Sequence, residues 1–129
     1  MHLIIKYILL DGAENERKKP RIIRGLTDLT VQEGEPLELE CQFEGDEVEA
    51  TWFFDGIMLR SNVFTTINFK PNDLAQILMK EVYLEDAGLY KLRLRNKYGE
   101  ASTTCTVTVR QRDRSTDQRQ KSSEELPPK

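Results

Sequence analysis

The chain of 129 residues has very little of the two side chains that most often build metal and nucleophile sites. It contains one histidine, His2, and two cysteines, Cys41 and Cys105. This is too few Cys and His residues for a zinc constellation within the chain. A serine or cysteine nucleophile also needs a general base, and the one histidine stands at the extreme N-terminus. We therefore expect neither a metal site nor a hydrolase of that kind.

The sequence also lacks a glycine-rich phosphate loop ahead of a helix, so the common nucleotide-binding motifs are absent. Carboxylates are abundant between residues 33 and 49, and acid pairs can perform acid–base chemistry. Most of them alternate with apolar residues, however, which is typical of the solvent face of a strand. We expect no catalytic residue, no cofactor and no enzymatic activity.

Neither a large charge excess nor a long apolar run is present. The formal net charge is −3, which is too small to create the positive field that nucleic acid or an anionic membrane would select. The apolar stretch at residues 3–10 is interrupted by Lys6. It is shorter than the roughly 20 residues of a membrane span and a poor match to a secretory signal. Other proteins are therefore the expected partners, with no nucleic acid and no membrane.

The length and composition fit one compact domain with tails. Residues 1–19 end in a charged stretch and are interpreted as an N-terminal tail or linker. Residues 111–129 have mixed charge, no apolar periodicity and two prolines near their end, which is typical of a polar linker. The domain itself is predicted over residues 20–110.

Between the tails, apolar residues recur at every second position, which is the period of a strand with one buried face. In the clearest case glutamates and a glutamine alternate with Leu37, Leu39, Cys41 and Phe43. Turn signals such as Asp55-Gly56 separate further predicted strands at 49–54, 57–59, 63–69, 90–95 and 101–109, and Ile77, Met79 and Val82 begin another buried set. Seven or more short strands without a long helix predict an all-β antiparallel sandwich.

Several residues at fixed spacing carry a family resemblance. Cys41 is followed eleven residues later by Trp52, then by Asp86-x-Gly88-x-Tyr90 and by Asn96-x-x-Gly99. With this combination the sequence resembles an immunoglobulin domain of the intermediate set, similar to those of titin, twitchin, obscurin and the myosin-binding giant muscle proteins. The resemblance covers about residues 20–110, and it implies an immunoglobulin-like sandwich with Greek-key connections.

The resemblance also implies roles for individual residues. Tyr90 occupies the tyrosine-corner position, where the hydroxyl bonds the backbone a few residues upstream. Asp86 and Gly88 shape the turn before it. The second core cysteine of the family falls at position 92, which is Leu92 in this chain. The usual bridge between the sheets is therefore impossible, and Leu92 is expected to pack with Cys41 against Trp52.

Cys105 has the parity of a core residue, which leaves two alternatives open. It could form an unusual bridge with Cys41, or both residues could be buried free thiols that behave as small apolar side chains. Free thiols are favoured. The missing usual bridge, the absence of an Asn-x-Ser/Thr acceptor and the poor signal sequence all agree with a reducing, cytoplasmic compartment.

Charges of opposite sign are expected on the two sheets. Outward Glu38, Glu40 and Glu44 belong to one sheet, and outward Lys91, Arg93 and Arg95 belong to the other. One interpretation is that these charges serve only solubility and protect strand edges. The alternative hypothesis is a protein-docking patch on the second sheet. Its anchors would be Phe53, Lys91, Arg93 and Arg95.

For function, the resemblance implies a mechanical or scaffolding module of an intracellular, sarcomeric or cytoskeletal multidomain protein, monomeric as an isolated domain. A backbone ladder between residues 27–31 and 103–109 is predicted to resist pulling. Two alternatives remain open. One is an extracellular adhesion or receptor domain, in which Cys41 would be bridged, and the other is a regulatory domain beside a muscle kinase.

Overall fold

The computed structural model describes residues 18–112, and these residues form two β-sheets packed face to face. Nine strands and one 3₁₀ turn make up this described part of the chain. In chain order they are β1 (Arg21–Arg24), β2 (Leu29–Gln32), β3 (Leu37–Glu44), β4 (Glu49–Phe54), β5 (Ile57–Met58), β6 (Thr65–Lys70), β7 (Leu74–Met79), the 3₁₀ turn (Leu84–Asp86), β8 (Gly88–Asn96) and β9 (Gly99–Arg110).

The strands are divided between a four-stranded and a five-stranded sheet. The first has the order β1-β3-β7-β6, and the second has the order β2-β9-β8-β4-β5. Neighbours are antiparallel except for β2, which runs parallel to β9. The chain crosses from one sheet to the other five times, as in Greek-key sandwiches. The predicted all-β, immunoglobulin-like sandwich is therefore confirmed, with the β2–β9 pair as its parallel exception.

The core lies between the sheets and is filled from alternate positions of the longer strands. Phe43 on β3, Trp52 on β4 and Leu92 on β8 are each at most 1% exposed. The predicted period of two is thus the period of burial, because successive side chains of a strand point to opposite faces. Fully burying one side chain of this size contributes roughly 1.5–3 kcal/mol.

One predicted strand begins later in the structure than the sequence indicated. The strand expected over 63–69 starts at Thr65, and Val63 and Phe64 stay outside it with 76% and 66% exposure. The side-chain carbonyl of Asn62 accepts hydrogen bonds from the backbone N–H groups of Phe64 and Thr65, at 2.8 and 2.9 Å. This local side-chain bond holds the chain in a turn, which the β-branched and aromatic composition did not reveal.

The predicted ladder between residues 27–31 and 103–109 is shorter and shifted. The structure pairs Leu29–Gln32 with Val107–Arg110. Before Leu29 the chain crosses from one sheet to the other. In this region two side chains, instead of backbone carbonyls, accept hydrogen bonds from backbone N–H groups. The Leu26 N–H donates to Thr103 Oγ1 at 3.0 Å, and the Thr106 N–H donates to Asp28 Oδ1 at 2.8 Å.

The predicted tails lie largely outside the described residues, and the domain boundaries at 20 and 110 stay predictions. Lys18 contacts the sandwich ahead of the predicted start. Its carbonyl accepts bonds from the Asn96 side-chain amide at 2.7 Å and from the Asp46 N–H at 3.2 Å.

Candidate functional site

The 3₁₀ turn and the start of β8 are joined by a buried tyrosine. The Tyr90 hydroxyl donates to the Asp86 carbonyl at 2.7 Å, and the Asp86 carboxylate accepts the Tyr83 N–H at 2.7 Å. A Cβ on Gly88 would stand 2.7 Å from a Phe54 ring carbon, so the position is closed to a side chain. Burial raises the pKa of the Tyr90 hydroxyl, and nearby Asp86 adds to the shift. Tyr90 therefore stays neutral and keeps its donor.

The residues around Trp52 pack without a sulfur bridge. Leu92 lies directly opposite Trp52 in the β4–β8 register, and Cys41 is fully buried on β3. Cys41 and Cys105 are both free thiols, and burial raises the pKa of each to about 11. Both thiols are protonated and unreactive near neutral pH. Within residues 18–112, the Trp52 Nε1 is the one buried side-chain nitrogen or oxygen without a hydrogen-bond partner.

The outer side of the five-stranded sheet carries an aromatic ring next to basic side chains. Phe53 on β4 lies opposite Lys91 on β8. The Lys91 Nζ is 6.0 Å from the centre of the Phe53 ring, and the Arg93 guanidinium carbon is 5.1 Å from it. We call Phe53, Lys91, Arg93 and Arg95 the basic face. Each such cation–π contact contributes about 0.5–1 kcal/mol at an exposed site.

The three cations of the basic face differ in their surroundings. Among residues 18–112, no carboxylate forms an ion pair with any of them. Arg95, however, lies opposite Glu49 on β4 and opposite Glu100 on β9. These two carboxylates offset its charge, so the unopposed positive charge of the basic face is concentrated at Lys91 and Arg93.

The outer side of the four-stranded sheet carries glutamates that each accept one hydrogen bond from the same glutamine. The Gln76 amide on β7 donates to Glu38 at 2.8 Å and to Glu40 at 3.2 Å. Its carbonyl in turn accepts from the Asn68 amide on β6 at 2.9 Å. Half-buried Leu78 lies opposite Glu38. We call Glu38, Glu40, Gln76 and Leu78 the acidic face.

The expected third acid of this sheet, Glu44, is offset by a partner. It forms an ion pair with Arg21 on β1, which lies opposite it in the register. The two sheets thus carry charges of opposite sign at these positions. Within residues 18–112 Lys91, Arg93, Glu38 and Glu40 form no ion pair, whereas Arg95 and Glu44 lie opposite residues of the other sign. Gln76 and Leu78 were not singled out from the sequence, although their spacing of two on a strand would place them together.

Asn96 is a further structural residue, which was identifiable from the sequence only as part of a turn motif. Its amide nitrogen donates to the carbonyls of Lys18 and Asp46, both at 2.7 Å. Its carbonyl accepts from the Tyr98 N–H and the Gly99 N–H, at 2.9 and 3.1 Å. One side chain therefore fastens three separate segments of the chain at this end of the sandwich.

Comparison with known families and sequences agrees with this geometry. Residues 20–109 match the family model described as "Immunoglobulin I-set domain". The chain is 30% identical over 106 residues to "Muscle M-line assembly protein unc-89" of Caenorhabditis elegans, and 31% identical over 96 residues to "M-protein, striated muscle" of Gallus gallus. These alignments cover 79% and 73% of the chain but 1% and 7% of the two relatives. The chain thus spans a small part of the length of the relatives it matches.

A solved structure also resembles the fold of this chain. One chain of the titin M10–obscurin-like 1 Ig F17R mutant complex superposes with a TM-score of 0.69 and 26% sequence identity. The match covers 73% of this chain and 95% of that one. Within residues 18–112 no helix is long and apolar enough to cross a membrane, and no group of three or more potential metal ligands occurs.

Proposed function

We propose that this chain, which belongs to the immunoglobulin I-set family, is a non-catalytic structural and protein-interaction module of a sarcomeric or cytoskeletal multidomain protein. The names of its relatives, a muscle M-line assembly protein and a striated-muscle M-protein, support a cytoplasmic muscle setting. The complex of titin M10 with an obscurin-like 1 Ig domain supports other proteins as partners. At low concentration the isolated domain is monomeric, and its neighbours in the parent chain are partners too.

The mechanical part of the proposal rests on one observation, the parallel pairing of β2 with β9. Pulling on the two ends of the domain draws β2 and β9 in opposite directions along their common ladder. Several backbone bonds, including the 2.8 Å bond from the Glu33 N–H to the Arg110 carbonyl, must then break together. The force at which the sandwich opens is set by the rate of this unfolding step.

Single-molecule pulling tests this role with two matched proline variants. The Glu33 N–H points to β9, whereas the Gln32 N–H donates to Glu35 on the other side. N–H directions alternate along a strand, so the Val31 N–H belongs to the ladder and the Thr30 N–H does not. Val31→Pro should lower the unfolding force clearly, and Thr30→Pro should leave it near the wild-type value.

A third variant separates the backbone from the side chain in this experiment. Val31→Ala keeps the N–H and removes the half-buried side chain, so it should retain most of the force. Equal unfolding forces for Val31→Pro and Thr30→Pro would show that the resistance lies outside the β2–β9 pair.

The docking part of the proposal is assigned to the basic face, with Phe53, Lys91 and Arg93 as anchors for acidic protein surfaces. Aromatic and arginine side chains dominate binding energies at protein interfaces. The lack of an ion pair at these cations within residues 18–112 supports this role over solubility alone.

A polyglutamate peptide is a suitable probe of the basic face. In an NMR titration of the labelled chain, we expect backbone shifts at Phe53, Lys91 and Arg93, and their loss at high salt because exposed charges are screened. Arg93→Glu and Phe53→Ala should weaken the binding, and Arg24→Glu on the other sheet is the control. Shifts spread evenly over all basic residues would contradict a specific docking surface.

The extracellular alternative is separated from the cytoplasmic one by the state of the thiols. Cys41 and Cys105 are free in the structure, which supports a reducing compartment. In protein isolated from its own tissue, two thiols should react after denaturation and none before it. A Cys41–Cys105 bridge in that material would favour the adhesion or receptor role.

A further inference from the structure

The basic face and the acidic face lie on opposite outer sides of the same sandwich. We infer that the acidic face of a second copy of this chain docks on the basic face, so that copies stack head to tail. This inference rests on the proposed docking function of the basic face and names its partner.

Side chains on the two faces follow the same arrangement. On the basic side, Phe53 lies beside Lys91, and Thr51 lies beside Arg93 in the adjacent row. On the acidic side, Leu78 lies beside Glu38, and Gln76 lies beside Glu40. Each side therefore has one row that pairs an apolar residue with a charge and one row that pairs a polar residue with a charge.

The two arrangements also have the same dimensions. On both sides the charged residues stand two positions apart on one strand, which corresponds to about 6.6–6.8 Å. Their neighbours stand on the adjacent antiparallel strand, about 4.8 Å away in each sheet. Two glutamates and two cations of equal spacing can therefore meet at the same time.

The topology gives the matching strands of the two sheets the same order and the same direction. The connections β1 to β2 and β5 to β6 join corresponding edges of the two sheets, so β3 precedes β7 in one sheet in the same sense as β8 precedes β4 in the other. β3 and β8 also run in the same direction. Asn96, the last residue of β8, bonds the Asp46 carbonyl just beyond the end of β3. A copy displaced along the normal to the sheets and shifted by about three residues, roughly 10 Å, along the strands thus brings Glu38 and Glu40 of β3 onto Lys91 and Arg93 of β8, and its β7 onto β4.

In this stack each side chain meets one of complementary chemistry. Lys91 and Arg93 meet Glu38 and Glu40, and the Phe53 ring meets Leu78. The oppositely charged neighbours of Arg95 and Glu44 keep those two residues from adding unpaired charge at the contact. Such an interface is heterologous, because each copy uses two different surfaces, and it can extend without closing.

The stack is weak and depends on salt. Both faces are partly solvated, and exposed ion pairs contribute little individually because salt and side-chain entropy oppose them. Association is therefore expected at near-millimolar concentration, or where modules are held close together in an array. At low micromolar concentration the chain stays monomeric.

Sedimentation velocity on the full chain tests the inference through charge reversal. Wild type should show a mass that rises with concentration in about 0.05 M NaCl and a Kd at least about tenfold weaker in about 0.5 M NaCl. The Lys91→Glu/Arg93→Glu variant then carries two acidic sides, and the Glu38→Lys/Glu40→Lys variant carries two basic sides. Each should stay monomeric alone, and an equimolar mixture of the two should associate again.

A matched control and a second probe make the outcome decisive. Glu47→Lys/Glu85→Lys changes the net charge as much as the basic variant does, at exposed residues off both faces, and should associate like wild type. Unchanged thermal melts show that each variant is folded. Wild type that stays monomeric in low salt, or a mixture that does not associate, overturns the stack. If the polyglutamate peptide still binds that protein, the proposed docking function survives, and if it does not, both fail.

Discussion

The two outer faces of the sandwich are built on similar strand pairs, yet their charged side chains have different kinds of partner. On the acidic face, Glu38 and Glu40 both accept hydrogen bonds from Gln76 within their own sheet. On the basic face, Lys91 and Arg93 contact the Phe53 ring and form no ion pair within residues 18–112. Alternation along a strand thus decides which charge a face carries. The register with neighbouring strands decides which hydrogen-bond partners that charged group has within its own sheet.

The largest change should come from the core that both faces share. Leu92→Ala removes a fully buried side chain beside Trp52 and should lower the free energy of unfolding by about 2–5 kcal/mol. Leu78→Ala, on the half-buried acidic face, should cost clearly less. Urea denaturation measures both, and equal losses would contradict the distinction between core and face.

The two sheets should contribute similarly to a loss of stability at alkaline pH. Cys41 belongs to the sheet of the acidic face and Cys105 to the sheet of the basic face, and burial raises the pKa of each from 9.0 to about 11. Above about pH 9 the unfolded chain releases these protons while the folded chain keeps them, so stability falls as pH rises. At about pH 10 the loss should be about 1 kcal/mol per thiol.

Variants that lack one cysteine test whether Cys41 and Cys105 contribute equally to the loss of stability at alkaline pH. Cys41→Ala and Cys105→Ala should each remove about half of the slope of unfolding free energy against pH between about pH 8 and pH 10. The raised pKa of Tyr90 leaves a small slope near pH 10 in the double variant, and a slope there as steep as in the wild type would assign the alkaline sensitivity to groups other than the thiols.

The smallest effect should distinguish the two faces directly. Gln76→Met keeps the size of the side chain but removes the amide that bonds Glu38 and Glu40, and should cost about 1 kcal/mol. Thr51→Val, at the corresponding place beside Arg93, removes a hydroxyl and should change stability by less than about 0.5 kcal/mol. Comparable losses from the two substitutions would mean that the acidic face is no better bonded than the basic one.

Much of this architecture was accessible from the sequence because burial in a sandwich follows a period of two. The inward positions of Leu37, Trp52 and Leu92 and the outward positions of Glu38 and Lys91 follow from that period alone. The hydrogen bonds between side chains of neighbouring strands do not follow from that period. Gln76 meets Glu38 only because β3 and β7 pair in one particular register across 38 residues of chain.

Two differences between the predicted and the observed strands also arise from hydrogen bonds made by side chains. The β2–β9 ladder is shortened because the side chains of Thr103 and Asp28 bond the backbone where the chain crosses between sheets. The delayed start of β6 depends on the Asn62 side chain. Such side-chain bonds compete with strand pairing and leave no periodic trace in the sequence.

The buried indole of Trp52 has a spectroscopic consequence. The chain has one tryptophan, and it lies in the apolar interior, where no group of residues 18–112 accepts a hydrogen bond from its N–H. Its fluorescence therefore comes from the middle of the fold alone, and emission at short wavelength marks the intact sandwich. A shift of that emission to the red reports the entry of water between the sheets, without any added label.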